Sequence, residues 1–209
     1  MHPTARASIE QELRSKILES GSDASCYGFG PGPFRIAQHY DELVPYCMFI
    51  LEHGPITSYL EVGIAHGGML HLMTDVLSPE TVRWIDLREV HRIGLARNIG
   101  AVQDAVPDAA GFYGDSHSPE ASEFLADDVF DLALIDGDHS EVGVRQDALM
   151  VMPHIAPGGL LAFHDTHAPG ETSAFMRKMD FAEHGFRVVG QWHAGGTSPG
   201  TTVLEKVLC

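Results

Sequence analysis

The chain is poor in positive charge. Its 209 residues include 13 Lys and Arg against 29 Asp and Glu, a formal net charge of −16. A protein this acidic repels phosphate backbones and anionic lipid headgroups, which argues against nucleic acid and membrane surfaces as partners. Cysteine is scarce too. Cys26, Cys47 and Cys209 are odd in number and far apart, a pattern of free thiols in a reducing compartment rather than a disulfide framework. No apolar run approaches the ~18 residues that a membrane span needs. The opening residues, Met1 to Ser8, lack the apolar stretch of a signal peptide. The expectation is a soluble, cytoplasmic protein. Internal repeats and low-complexity tracts are also missing.

What is present fits one compact domain with a sizeable core, at 44% hydrophobic residues. Ile9, Leu13, Ile17 and Leu18 recur at helical spacing and predict a helix over 5–20, ended by Gly21. Ser22 to Pro33, dense in Gly and Pro, is either a plain connector or a mobile lid over a pocket. A second helix is predicted over 36–53, with Pro45 marking a kink or a break. From residue 57 strands alternate with helices. The strands are predicted at 58–62, 82–86, 112–113, 130–135, 159–163, 186–191 and 201–207. The helices are predicted at 67–77, 88–100, 119–126, 140–153 and 171–184. Such alternation implies an α/β fold with a mostly parallel, seven-stranded sheet covered on both faces. The last two strands have no helix between them and should form an antiparallel hairpin. The division is residues 1–56 as a helical extension and lid, then 57–209 as the main domain.

Ligands of such sheets sit outside the carboxyl ends of the strands. Five predicted strand ends carry acids, glycines or histidines: Glu61 with Gly63 to Gly68, Asp86, Asp115, Asp136 to His139, and His164 to His167. Two of them share a pattern. Asp131-Leu-Ala-Leu-Ile-Asp136-Gly-Asp138-His139 and Gly159-Leu-Leu-Ala-Phe-His164-Asp165-Thr166-His167 are apolar strands that run straight into Asp and His. They suggest a metal and a base at one edge of the sheet.

The first strand end, Glu61-Val-Gly63-Ile-Ala65-His66-Gly67-Gly68, opens a helix. Its glycines allow close approach of backbone to ligand, and the helix amides favour an anion. Gly63-x-Ala65-x-x-Gly68 formally fits the dinucleotide fingerprint, so an NAD(P)-dependent oxidoreductase is one reading. Asp86 would bind ribose hydroxyls under either reading. Glu61 favours a cationic ligand over a pyrophosphate, and S-adenosylmethionine carries both an ammonium and a sulfonium. The alternatives are a tight turn for the glycines and helix caps for Asp86 and Asp115.

Glu61-x-Gly63-x-x-x-Gly67 resembles motif I of the class I S-adenosylmethionine-dependent methyltransferases. That resemblance implies a Rossmann-like doubly wound fold, with 57–209 as the cofactor-binding domain. It places the ribose acid at Asp86 and an adenine contact at Asp115 or Ser116, in Gly114-Asp115-Ser116. The implied cofactor site is Glu61, Gly63, Ala65, His66, Gly67, Gly68, Asp86, Asp115, Ser116 and Asp136. Phe130 to Thr166 is more specifically similar to the metal-dependent natural-product O-methyltransferases, the macrolide-sugar and cephalosporin-hydroxylase-like group. This implies Asp136 and Asp165 as ligands of a divalent cation, Mg2+, and His139 as the general base. The implied acceptor is a hydroxylated small molecule, a natural product or its sugar. The chemistry agrees: a cation acidifies a hydroxyl, an imidazole takes its proton, and methyl moves in line from sulfonium to oxygen.

One position departs from that family. It commonly has an acid before the second metal Asp, and here His164 stands there. His164 is either a third ligand, suited to softer metals than Mg2+, or a histidine packed beneath the site. Sharing a metal with Asp165 requires the strand to have ended, because strand neighbours face opposite ways. Asp138-x-x-Glu141 reads as the cap of the following helix, and Glu141, Arg145 and Asp147 as exposed helix charge. His167 could border the acceptor pocket, and His117 lies just beyond Asp115. A metal-free methyltransferase using His139 alone, and a binding protein without turnover, are further readings. A homo-oligomer through the N-terminal helices is compatible with the sequence.

Overall fold

The computed structural model describes residues 3–20, 35–87, 94–196 and 198–208. The Ser22–Pro33 segment, Cys26, Cys209 and the first part of the helix expected over 88–100 lie outside the described residues.

Two helices, α1 (Pro3–Ser20) and α2 (Tyr40–His53), precede an alternating series. It runs β1 (Ser58–Val62), α3 (Gly68–Leu77), β2 (Thr81–Asp86), α4 (Leu95–Ala105), β3 (Asp108–Tyr113), α5 (Pro119–Leu125) and β4 (Phe130–Ile135). It continues through α6 (Glu141–Val151), β5 (Ile155–Phe163), α7 (Glu171–Lys178), β6 (Phe186–Trp192) and β7 (Thr201–Lys206). The seven strands form one sheet in the order β3-β2-β1-β4-β5-β7-β6. β1 to β5 are parallel, while β7 pairs antiparallel with both β5 and β6. The α/β, Rossmann-like architecture and the antiparallel C-terminal pair expected from the sequence are therefore present, with β7 inserted between β5 and β6.

The central strands are apolar because both faces are covered. Alternation sends Tyr59, Trp84, Leu132 and Leu134 into one core with α1, α2, α3 and α4. It sends Leu60, Val62, Ala133, Ile135 and Phe163 into a second core with α5, α6 and α7. The N-terminal helices thus share a core with the sheet, through Leu13, Ile17, Leu43 and Cys47. Cys47 is a buried thiol whose pKa burial pushes up to about 12. No helix among the described residues is long and apolar enough to cross a membrane.

Several boundaries differ from expectation, each for a local reason. α2 begins at Tyr40, because the His39 ring caps it by accepting from the Asp41 amide at 3.3 Å. The helix continues through Pro45, at the cost of the one bond its amide would have given to the Asp41 carbonyl. β3 has six residues rather than two. Asp108-Ala-Ala-Gly111 has little strand propensity, but the register places Gly111 beside Trp84, and a Cβ there would overlap the indole. Two predicted helices are shortened and finish as 3-10 turns, at Met152–His154 and Phe181–His184.

Candidate active site

The strand order reverses between β1 and β4. The chains leave those two strands on opposite sides, and a crevice opens beyond their carboxyl ends. A cleft of about 750 Å³ occupies this place, lined by residues from all five parallel strand ends together with Ala37, His39 and Pro199.

One half of the cleft is built on β1, β2 and β3. Gly63 turns out of β1 with φ +85°, and a Cβ there would strike the Asp136 backbone where β1 and β4 adjoin. Asp86 braces the loop that follows: its Oδ2 accepts from the Ile64 and Ala65 amides, both at 2.8 Å. Gly63, Ala65, Asp86, Asp115, Ser116 and Asp136 all line the cleft. Gly67 caps α3 in a left-handed conformation and Gly68 is its buried first residue, so these two shape the loop from behind. His66 presents its carbonyl to the Asn98 side chain at 2.7 Å. Asp115 accepts from the His117 amide at 2.9 Å, and Ser118, not Asp115, caps α5.

Glu61 requires a correction. It lies 1% exposed below the cleft floor rather than on it, accepting from the Tyr59 hydroxyl at 2.6 Å. Burial pushes its carboxyl up to about 8, against the Tyr59 hydrogen bond. Buried beneath the cleft, it makes no direct contact with a ligand there, so the charge argument drawn from it does not hold for such a contact.

The other half is built on β4 and β5. Asp136, His139 and Asp165 bring one ligand atom each to within 4.8 Å of one another. Asp165 reaches this position because β5 ends at Phe163 and Asp165 takes φ +57°. The left-handed residue breaks strand alternation, and the carboxylate turns toward Asp136. The His139 side chain is 56% exposed, with Nδ1 2.8 Å from Asp165 Oδ2 and Nε2 3.3 Å from Asp136 Oδ1. Hydrogen bonds that its ring donates to Asp136 and Asp165 push its pKa up to about 10, against partial burial. Asp136 moves the other way. Burial would raise its carboxyl, but His164 and His139 outweigh that and hold it at about 2.

His164 follows β5 into the same half of the cleft. It is 6% exposed, and both ring nitrogens are engaged: Nδ1 lies 3.2 Å from Asp136 Oδ1 and Nε2 3.1 Å from Glu42 Oε1. Burial disfavours the imidazolium, but Asp136 and Glu42 outweigh it and keep the pKa well above the ordinary histidine value. It borders the floor of the cleft with Nδ1 also 3.5 Å from Asp165 Oδ1, and the three converging ligand atoms are those of Asp136, His139 and Asp165.

The helix after β4 differs from its sequence reading as well. Ser140 caps α6, accepting from the Gly143 amide at 3.0 Å, while Asp138 accepts from the Ser140 amide just ahead of it. Glu141 pairs with Lys178 at 2.6 Å. Asp147 is not exposed helix charge but fully buried, 3.2 Å from His117 Nε2 under the cleft, and burial raises its carboxyl. His167 stacks on His193 with centroids 3.6 Å apart and does not line the cleft.

Sequence reasoning missed Gln38 and Glu42. Gln38 donates to Asp136 Oδ2 at 2.8 Å. Glu42 reads as an ordinary first-turn helix acid. No local signal separates it from Asp41 and Glu52 of the same helix, which are exposed.

Residues 60–166, just over half of the chain, match the family model described as "Methyltransferase domain". The fold is shared with solved O-methyltransferases, one of them in complex with S-adenosylmethionine. The chain belongs to this methyltransferase-domain family. No curated protein matches it in sequence. Among solved structures, it is similar to a candidate O-methyltransferase from Klebsiella pneumoniae, with TM-score 0.64, 15% identity, and 96% of this chain and 90% of that chain covered. It is similar to the O-methyltransferase TomG from Streptomyces achromogenes, involved in tomaymycin synthesis and solved with S-adenosylmethionine. There the TM-score is 0.61 and the identity 12%, with 96% and 90% covered. MycE from the mycinamycin pathway, solved with Mg and S-adenosylhomocysteine, shares 17% identity at TM-score 0.59. The match covers 95% of this chain and 53% of that chain.

Proposed function

We propose that the protein is a divalent-metal-assisted O-methyltransferase acting on a hydroxyl of a small molecule, in the class of natural products or their sugars. The observation that carries this reading is the convergence of Asp136, His139 and Asp165 at the mouth of the cofactor crevice. MycE, which shares the fold, was solved with Mg, and the donor set here fits such an ion. Asp136 and Asp165 offer hard carboxylate oxygens, and an exposed edge leaves room for the waters that Mg2+ retains. When bound, the cation would polarise the acceptor hydroxyl and neutralise the two carboxylates.

The chain's own residues do the rest. The loop from Gly63 to Gly68 and Asp86 hold the cofactor, with Asp115 and Ser116 at the adenine end. The methyl acceptor enters from the side of His39, His139 and Pro199. With both carboxylates facing it, His139 is an imidazolium near neutral pH and has no site for a proton. Were a bound cation to neutralise Asp136 and Asp165, the exposed His139 ring would give that proton to solvent. Nδ1 keeps its short contact to Asp165, and Nε2, with the longer contact, takes the hydroxyl proton. The oxygen forms its bond to the methyl carbon as the carbon–sulfur bond breaks, which leaves S-adenosylhomocysteine. This argument favours the metal-assisted reading over His139 acting alone. The oxidoreductase reading is set aside because the chain belongs to a methyltransferase family.

Titration calorimetry of the metal-loaded protein with S-adenosylhomocysteine and with NAD tests the cofactor assignment. Binding of S-adenosylhomocysteine and silence with NAD is the expected result. Tight NAD binding without S-adenosylhomocysteine binding would overturn it.

A further inference from the structure

We propose that Glu42, in the N-terminal helix α2, is a positioning residue for the cation site. The inference rests on the reading that Asp136 and Asp165 hold a divalent cation.

Glu42 lies outside the residues that match the methyltransferase family and is 0% exposed. A carboxylate this deep is costly unless its oxygens are satisfied. Oε2 accepts from the Ser198 hydroxyl at 3.0 Å and the Gly200 amide at 3.1 Å. Oε1 accepts from the Thr201 hydroxyl at 3.2 Å and faces His164 Nε2 at 3.1 Å. One side chain therefore joins α2, the turn before β7 and the end of β5.

The fourth contact separates this arrangement from a plain structural pin. His164 passes the connection on: its Nδ1 lies 3.2 Å from Asp136 Oδ1. The chain is carboxylate, imidazole, carboxylate, and it ends on a proposed ligand. The other oxygen of Asp136 accepts from Gln38 at 2.8 Å, just ahead of the same helix. The entry to α2 thus grips Asp136 from two sides, directly through Gln38 and indirectly through Glu42 and His164. The ligand oxygens can then present only one edge to the cleft. Groups that orient a ligand from behind in this way alter metal affinity by about 10- to 100-fold when removed. The departure at position 164, where an imidazole stands in place of the family's acid, acquires a role here: the imidazole carries the grip of Glu42 to Asp136.

The test is Mn2+ binding, read by the EPR signal of free ion, in the full-length protein. Wild type is compared with Glu42→Gln and with Asp131→Ala. Asp131 accepts from Thr57 and Ser58 at the opposite edge of the sheet, so its loss lowers stability without touching the site. Glu42→Gln is expected to weaken Mn2+ binding about 10- to 100-fold at unchanged affinity for S-adenosylhomocysteine, and Asp131→Ala to leave Mn2+ affinity as it was. A folded Glu42→Gln protein with wild-type Mn2+ affinity overturns the proposal alone. A wild-type protein that takes no Mn2+ overturns the cation reading and the proposal with it. Should Glu42→Gln fail to fold, His164→Asn cuts the same chain at its middle link, and unchanged Mn2+ affinity there overturns the proposal equally.

Discussion

His139→Ala is expected to lower methyl transfer by about 10²- to 10⁴-fold, the range for loss of a general base, with affinity for S-adenosylhomocysteine nearly unchanged. The imidazole stands between the two carboxylates, on the β4 and β5 half of the crevice, while the glycine loop proposed to hold the cofactor follows β1. Labelled methyl transfer to a hydroxylated acceptor gives the rate, and calorimetry gives the affinity. Unchanged turnover would remove His139 from the mechanism. The same residue leaves a mark on stability in the metal-free protein. Its pKa is raised from 6.5 to about 10 in the folded state. Its ion pairs therefore contribute in full below the unfolded value and are lost as pH rises through the folded one. A His139→Gln protein should show a flatter decline of the urea midpoint between about pH 7 and 10 than wild type.

Gly63→Ala should damage the cofactor site and the fold together. The position has φ +85°, and the added Cβ would overlap the Asp136 carbonyl where β1 and β4 part. A left-handed conformation forced on a non-glycine residue costs about 1–3 kcal/mol, and the overlap adds to that. Relief requires the two strand ends to separate, which moves the Asp136 backbone and the loop braced by Asp86. A lowered melting temperature and at least a tenfold loss in S-adenosylhomocysteine affinity, taking about 1.4 kcal/mol per tenfold, are the expected results. A folded variant with wild-type affinity would show that the loop does not hold the cofactor.

What could be read from the residues follows a physical pattern. The run Leu132 to Ile135 is buried on both faces, so its apolar character announces a central strand and the polar residues after it announce the strand end. Gly63 was legible because a turn with positive φ at a close backbone approach demands glycine, whereas the bracing of the loop by Asp86, read from the sequence as a ribose acid or a helix cap, was not. The misreadings concern the direction of side chains and contacts between segments far apart in sequence. Glu61 follows strand alternation toward Tyr59 and away from the cleft. Asp138 and Ser140 both suit a helix start, and only the observed turn decides between them. Asp147 looks like surface charge until α6 is docked on the sheet. Glu42 meets His164 across 122 positions of chain, a pairing that no local pattern encodes.

The most direct measurement is anomalous diffraction from a crystal grown with Mn2+ and S-adenosylhomocysteine. The account predicts a manganese peak between Asp136 and Asp165 within coordination distance of both carboxylates. It also predicts S-adenosylhomocysteine over Gly63, its ribose at Asp86 and its sulfur turned toward His139. A fully occupied cofactor with no manganese between those two carboxylates, or with manganese bound elsewhere, would contradict it.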